Sequence, residues 1–350
     1  MEDSQYTLKD FATQDINRIS LSFLFHLIEY DYSDIVYPIP FQTLFHHEET
    51  HYVNFGKSDS RFPSFIELGT VHESSFEKVD FIYVTGSSSN HLYSNVNTMY
   101  SLMRSCIDAS IVFVDFGLDE PAFSYLLQEM MVMHSIYQKH HSLGRLYYRR
   151  FDFSHFPAWF DIADEQIRGG YSWKVISYFD VLVETKRMIV WSDGGNQLAL
   201  SIEKELQRAR TFGLFSPYSG GSLQSWVHGK SLRFLAYNGM ARKIMTGKGM
   251  CTGGYLFVNY RNETVMKNVI FPLVQCAYTR RCISPEGSSR KNHRQDQAIL
   301  SVLVHSTKVP ESCKGSYNTK VRYHQECDSV ELCKPRKEML VNQLNQVIVS

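Results

Sequence analysis

Four consecutive apolar residues, Met188 to Trp191, are followed at once by Ser192, Asp193, Gly194, Gly195 and Asn196. A run this short and continuous cannot form one face of a helix, and it predicts a strand buried on both sides. Two similar runs lie upstream: Phe81 to Val84 before Thr85-Gly86-Ser87-Ser88, and Ile111 to Val114 before Asp115. After the first of them Val96, Met99, Tyr100 and Met103 return at helical spacing. A second helix is predicted from about Pro121 to His140, with proline where a first helical turn tolerates it. A third strand from Leu146 to Phe153 and a helix around Trp173 to Glu184 lead into the Met188 strand. This alternation predicts βαβ units and a mainly parallel sheet.

Beyond Asn196 the pattern loosens. Lys248 to Gly254 leads into a strand at Tyr255 to Val258, and a helix carrying Val265, Val269 and Leu273 follows. His293-Arg294-Gln295-Asp296-Gln297 immediately precedes the apolar run Ala298 to Val304, which sets Asp296 at a helix start, where the dipole favours a carboxylate. Near the N-terminus, Ile16, Ile19, Phe23 and Leu27 keep helical spacing before Pro38 and Pro40 interrupt. The chain divides into an N-terminal stem or lobe (1–76), a main domain (77–310) and a polar, cysteine-bearing tail (311–350) with one apolar patch near Leu340 to Ile348.

A chain of 350 residues with 43% hydrophobic content can bury a large core. Lys plus Arg and Asp plus Glu balance at 36 each, so no global field points to nucleic acid or an anionic membrane. No run approaches the roughly 20 apolar residues of a spanning helix, and the acidic start, Met-Glu-Asp-Ser, is unlike a signal peptide. Membrane association would therefore need an anchor not visible in this sequence. No paired Cys-x-x-Cys spacing points to structural zinc, and five of the seven cysteines lie in the last quarter, which favours disulfides in a secretory lumen over free cytosolic thiols. Cys106, in an apolar helical pattern, is the expected free thiol, and Asn262-Glu263-Thr264 is a glycosylation acceptor pattern.

Two stretches compete for the chemistry. Asp193 offers a carboxylate at the end of a central strand, where α/β sheets bind ligands, although Asp-Gly is also an ordinary turn. The turn at Thr85 to Ser88 could hold a nucleotide or simply cap a helix; it fits neither Gly-x-Gly-x-x-Gly nor a P-loop. The rival is His47-Glu48-Glu49-Thr50-His51, which matches the His-Glu-x-x-His of zinc metallohydrolases, with Glu67 and Glu73 as further candidate ligands. Its surroundings lack an amphipathic helix. The purified protein is therefore expected to carry no stoichiometric zinc. Metal analysis checks this, and zinc that is lost on His47→Ala would move the chemistry to the N-terminal region.

Six motifs occur in order: Val84-Thr85-Gly86-Ser87-Ser88, Val114-Asp115-Phe116-Gly117-Leu118, Phe151-Asp152-Phe153, Tyr171-Ser172-Trp173-Lys174, Trp191-Ser192-Asp193-Gly194-Gly195-Asn196, and His293-Arg294-Gln295-Asp296-Gln297. Together they resemble animal proteins described as nucleotide-diphospho-sugar transferases of the GT-A type, over roughly Glu77 to Ser306. The resemblance implies an α/β, Rossmann-like GT-A fold with a mainly parallel central sheet flanked by helices. It implies hexosyl transfer from a nucleotide-sugar donor to a glycan or glycoprotein acceptor in the Golgi, or a degenerate module that binds without turnover. Thr85, Gly86, Ser87, Ser88, Lys174, Asp193 and Asn196 would hold the donor. Asp193, in the place of an Asp-x-Asp motif whose second carboxylate is missing, would hold a divalent ion (Mn²⁺ or Mg²⁺), with His305 as a late ligand. Asp193 and Asp296 would be catalytic, Asp296 as general base, while Gly253 and Gly254 would let the acceptor approach the backbone. Lys174, Arg294 or Lys248 could neutralise the leaving diphosphate. Cys276 and Cys282 look like the family's cysteine pair. Cys327 and Cys333 could pair likewise, with Cys313 competing.

Overall fold

The computed structural model describes residues 80–346 apart from 164–166, 199–200, 242–246 and 316–320. It also places two short strands, Tyr52–Asn54 and Glu67–Gly69, which pair antiparallel. His47, Glu48, His51 and Glu73, the side chain of Glu67 and the Ile16 to Leu27 pattern lie outside the described residues.

The centre is a six-stranded sheet. Its parallel part comprises β1 (Phe81–Ser87), β2 (Ser110–Asp115), β3 (Leu146–Arg150) and β4 (Met188–Ser192), and β5 (Leu214–Phe215) and β6 (Tyr255–Asn259) complete it. The order is β3-β2-β1-β4-β6-β5. The pairings β1 with β2, β2 with β3 and β1 with β4 are parallel, whereas β6 pairs antiparallel with both β4 and β5. Helices α1 (Leu92–Ser105), α2 (Glu120–Lys139), α3 (Ser172–Thr185), α4 (Gln295–Thr307) and α5 (Val330–Gln346) flank it. The architecture is thus a mixed α/β fold with a mostly parallel central sheet, as expected.

The continuous apolar runs follow from burial on both faces. Ile82, Val84, Ile189, Trp191, Leu256 and Val258 enter one core with α3 and α4. Their neighbours Phe81, Tyr83, Met188, Val190, Tyr255 and Phe257 enter the other with α1 and α2. Alternate residues thus feed opposite cores, and both faces of these stretches of β1, β4 and β6 are apolar.

Three local readings change. β1 continues through Thr85 and Gly86 to Ser87, because these residues stay in register with Phe113, Val114 and Asp115. β3 stops at Arg150, where Asp152 turns the chain by accepting from the Ser154 amide at 2.9 Å. In the tail, α5 packs against α1 and buries Leu340 and Leu344. Asn262 of the glycosylation pattern caps its own helix, accepting from the Val265 amide at 3.0 Å. Among the described residues no helix is long and apolar enough to cross a membrane.

Disulfides join Cys276 to Cys282, Cys327 to Cys333 and Cys251 to Cys313, and Cys106 is free and half-buried. Cys313 therefore does not compete for Cys327 or Cys333. Its partner lies 62 residues away, on a strand that pairs with Tyr218–Ser222, a link that sequence spacing does not reveal. Non-reducing peptide mapping is expected to recover these three pairs and an alkylatable Cys106. Reducing the Cys251–Cys313 bridge should destabilise most, because it closes the longest loop in the unfolded chain. Recovery of Cys276 and Cys282 as free thiols would count against an oxidising compartment.

Candidate functional site

The strand order itself locates the site. From β1 the chain winds outward through β2 to β3, then returns to place β4 on the other side of β1. At such a switch point the loops leaving adjacent strands diverge and open a crevice at their carboxyl ends. The loop after β1 begins with Ser88, and the loop after β4 begins with Asp193. Between them lies a cavity of about 690 Å³, lined among others by Gly86 to His91, Phe116, Arg168, Trp173 and Asp193. A second cavity of about 380 Å³ adjoins it and shares Tyr171, Lys174, Asp193, Gly194 and Glu326; Asp296 and Gln297 form its far wall.

Where the two cavities meet, Lys174 stands between two carboxylates. Its Nζ lies 3.1 Å from Asp193 Oδ1 and 3.3 Å from Asp296 Oδ2. The lysine is in the first turn of α3, where the helix dipole disfavours a cation. Burial also works against its charge, but Asp193 first and Asp296 second outweigh burial and raise its pKa above the ordinary lysine range. Asp296 shows the opposite balance. Burial pushes its carboxyl above the usual aspartate range despite Lys174, and the nearby charge of Asp193 pushes the same way. Exposure differs accordingly: the side chains of Lys174 and Asp296 are 6% and 10% exposed, and that of Asp193 is 40%.

Asp193 is held by its surroundings. Its amide donates to the Gly254 carbonyl at 2.9 Å, and Trp191 Nε1 donates to its Oδ1 at 2.7 Å. Asn196 donates to the same Gly254 carbonyl at 2.7 Å, which fixes the turn to β6. A Cβ on Gly254 would meet Asp193 Oδ2 at 2.8 Å, and one on Gly253 would meet Asp296 Oδ2 at 2.6 Å. The two glycines therefore make room for the site's own carboxylates, rather than for the acceptor expected from sequence. Just before α3, Gly169, Gly170 and Tyr171 are all left-handed, with φ of 59°, 58° and 57°. Tyr171, a non-glycine held in this costly conformation, sets its ring 5.2 Å from Lys174 Nζ.

Other expected residues fall in varied places. Gly86, Ser87 and Ser88 line the larger cavity. Ser87 Oγ is buried there without a hydrogen-bond partner. Thr85, by contrast, is wholly buried and donates to Asn95 at 3.0 Å, because its strand position points it into the fold. Asn196 and Arg294 line the smaller cavity, and the Arg294 guanidinium lies 4.2 Å from the Trp226 ring centre. His305 does not join Asp193. It sits nine residues after Asp296 on α4, about 13 Å along the helix at 1.5 Å per residue, and pairs with the Gly249 carbonyl at 2.8 Å. Lys248 lies near His305, whose pKa is lowered first by burial and then by that lysine.

Sequence reasoning missed His324 and Glu326. Both line the smaller cavity, and they pair at 3.1 Å. The Gln325 amide donates to the Gly195 carbonyl at 2.8 Å, so the tail crosses directly over the Asp193 turn, and the Cys327–Cys333 bridge follows at once. Cys327, directly after them, was the available signal.

As arranged, these residues do not fit a resident divalent ion. Among the described residues no three His, Cys, Asp or Glu are grouped to hold a metal. Hard cations need several oxygen ligands, whereas both Asp193 oxygens already accept from Lys174, and Trp191 adds a bond to one of them. The cation between the two carboxylates is Lys174.

No protein-family model and no curated protein matches the chain. Solved structures do. A bifunctional glycosyltransferase, WbbM, is 11% identical over 72% of this chain at a TM-score of 0.42, and the match spans 41% of that chain's length. Mouse xyloside xylosyltransferase 1 is 11% identical over 70% of this chain and 97% of its own, also at 0.42. The galactosyltransferase LgtC, solved with donor and acceptor sugar analogues, is 11% identical over 74% of this chain and 95% of its own, at 0.42.

Proposed function

We propose that this chain is a GT-A-type glycosyltransferase that moves a sugar from a nucleoside-diphosphate donor to a hydroxyl of a glycan or glycoprotein. The observation that carries this reading is the meeting of two cavities at Asp193, Lys174 and Asp296, at the switch point of the sheet. The larger cavity has the volume and the mixture of aromatic and small polar walls expected of a nucleotide site. Ser87 Oγ, buried without a protein partner, suits a phosphate or ribose oxygen. The smaller cavity takes the acceptor.

In an inverting transfer, the acceptor oxygen bonds to the anomeric carbon as the bond from that carbon to the diphosphate oxygen breaks. The acceptor proton passes to Asp296, and the diphosphate leaves with the electron pair. Burial raises the proton affinity of Asp296, which suits a general base. Arg168 offsets charge on the departing diphosphate, and Lys174, itself flanked by Asp193 and Asp296, donates a hydrogen bond to it; such groups are worth more in a cleft than in water. No step requires a metal. The three disulfides support work in an oxidising secretory compartment, which we assign to the Golgi.

The test is a thermal-shift screen of nucleoside diphosphates and sugar nucleotides, with and without manganese, followed by donor hydrolysis. A nucleotide at 100 times its Kd should stabilise the fold by about 2.7 kcal/mol. Absence of any nucleotide effect would overturn the proposal. Binding without turnover across donors and acceptors would leave a non-catalytic binding module.

A further inference from the structure

A third cavity, of about 1340 Å³, opens beside the smaller one and shares Arg290 with it. Among the described residues its walls carry Lys230, Arg233, Arg280, Arg281, Arg290 and Lys291, against one carboxylate, Glu286. All six cations are exposed. Glu286 pairs with Lys230 at 2.9 Å, and Arg233, Arg280, Arg290 and Lys291 add positive charge to the groove. The whole chain has a formal net charge of zero, so this concentration is local. Like charges gathered in one groove repel one another, and an anionic ligand relieves that repulsion.

The groove is built on fixed supports. The Cys276–Cys282 bridge flanks Arg280 and Arg281. His293 pins the loop that carries Arg290 and Lys291. Its Nδ1 accepts from the His228 amide at 3.1 Å, and its Nε2 lies 3.0 Å from the Ile283 carbonyl. Burial lowers the pKa of His293 to about 4, so the ring is neutral and its Nε2–H donates to Ile283. Tyr237, 82% exposed, stands at the groove wall and offers an aromatic face.

We infer that this groove binds the body of an anionic glycan, one bearing carboxylate or sulfate groups, whose terminal hydroxyl enters the acceptor cavity past Arg290. The inference rests on the glycosyltransferase reading for its acceptor role, and the binding itself is measured separately. Charge complementarity selects the anion, and continuity with the acceptor cavity places it. The exposed tyrosine, which can stack on the apolar face of a sugar ring, favours a glycan over an acidic peptide.

The experiment compares three probes by calorimetry: a hexasaccharide of alternating glucuronate and N-acetylhexosamine, the same hexasaccharide with its carboxyls reduced to alcohols, and a glutamate oligomer of equal charge. The uronate hexasaccharide is expected to bind at least about tenfold tighter than the reduced one, and to weaken as salt rises. Arg233→Glu combined with Lys291→Glu should reduce its affinity about tenfold or more, with nucleotide-induced stabilisation unchanged. The milder Arg233→Gln/Lys291→Gln pair should fall between, and unchanged melting temperatures would show that all variants fold. Equal binding of the reduced hexasaccharide, equal binding of the glutamate oligomer, or full affinity in the charge-reversed variant would each overturn the inference. Uronate binding without any nucleotide binding would instead sustain the groove and sink the transferase reading.

Discussion

Asp193→Asn is expected to lower turnover by about 10²–10³-fold while leaving the fold intact, the range seen when one preorganised electrostatic group is lost. The physical reason is the position of the carboxylate. It faces both cavities, it is the strongest charge sustaining Lys174, and it is rigidly held by Trp191 and the Gly254 carbonyl. Asparagine keeps the shape and an oxygen that can still accept from Trp191 Nε1, while the charge and the second acceptor for Lys174 are lost. The side chain is 40% exposed and packs little, so stability should change by about 1 kcal/mol or less. Donor affinity by calorimetry, steady-state turnover and urea denaturation together check the prediction. Normal donor affinity with normal turnover would reduce this strand end to a structural turn.

Lys174→Met should hurt both stability and chemistry. The change nearly preserves volume but strands the buried Asp296 without its cation, and breaking such a pair costs about 3 kcal/mol. Lys174 is the main influence holding the Asp296 pKa down, so its loss raises that pKa further. A carboxyl whose folded pKa is raised adds stability that is fully present below its unfolded value and is lost as pH rises through the folded value. The variant should therefore recover part of its lost stability, relative to the wild type, as pH falls through the raised folded value toward the ordinary aspartate range. The acid limb of its kcat/KM profile should also move to higher pH if Asp296 is the base. Adding Asp296→Asn should restore most of the stability and none of the turnover. A single variant as stable as the wild type at neutral pH would contradict the buried charge pair, and an unmoved acid limb would remove Asp296 as the base.

The sheet and one end of its site were legible along the chain. β1, β2 and β4 appear as short continuous apolar runs because each is buried on both faces, and two-sided burial leaves no polar alternation to obscure them. Asp193 was readable for a related reason, since a carboxylate and two glycines directly after such a run must lie at a strand end. Asp296 could be set at a helix start from the apolar run that follows it. Which partners these residues meet was decided by the tertiary structure alone. Lys174, Asp193 and Asp296 are separated by 19 and 103 positions, and only the winding of β4 beside β1 and the packing of α3 and α4 on one face bring them together. Thr85 and His305 had suitable chemistry in the sequence, but strand direction turned one inward and helix length carried the other away. His324 and Glu326 lay in a tail with no periodicity to mark them. The pairing of Val321 and Arg322 with Leu198 and Gln197, and the backbone hydrogen bond from Gln325 to Gly195, bring them over the site, and such long-range links leave no local pattern in a sequence.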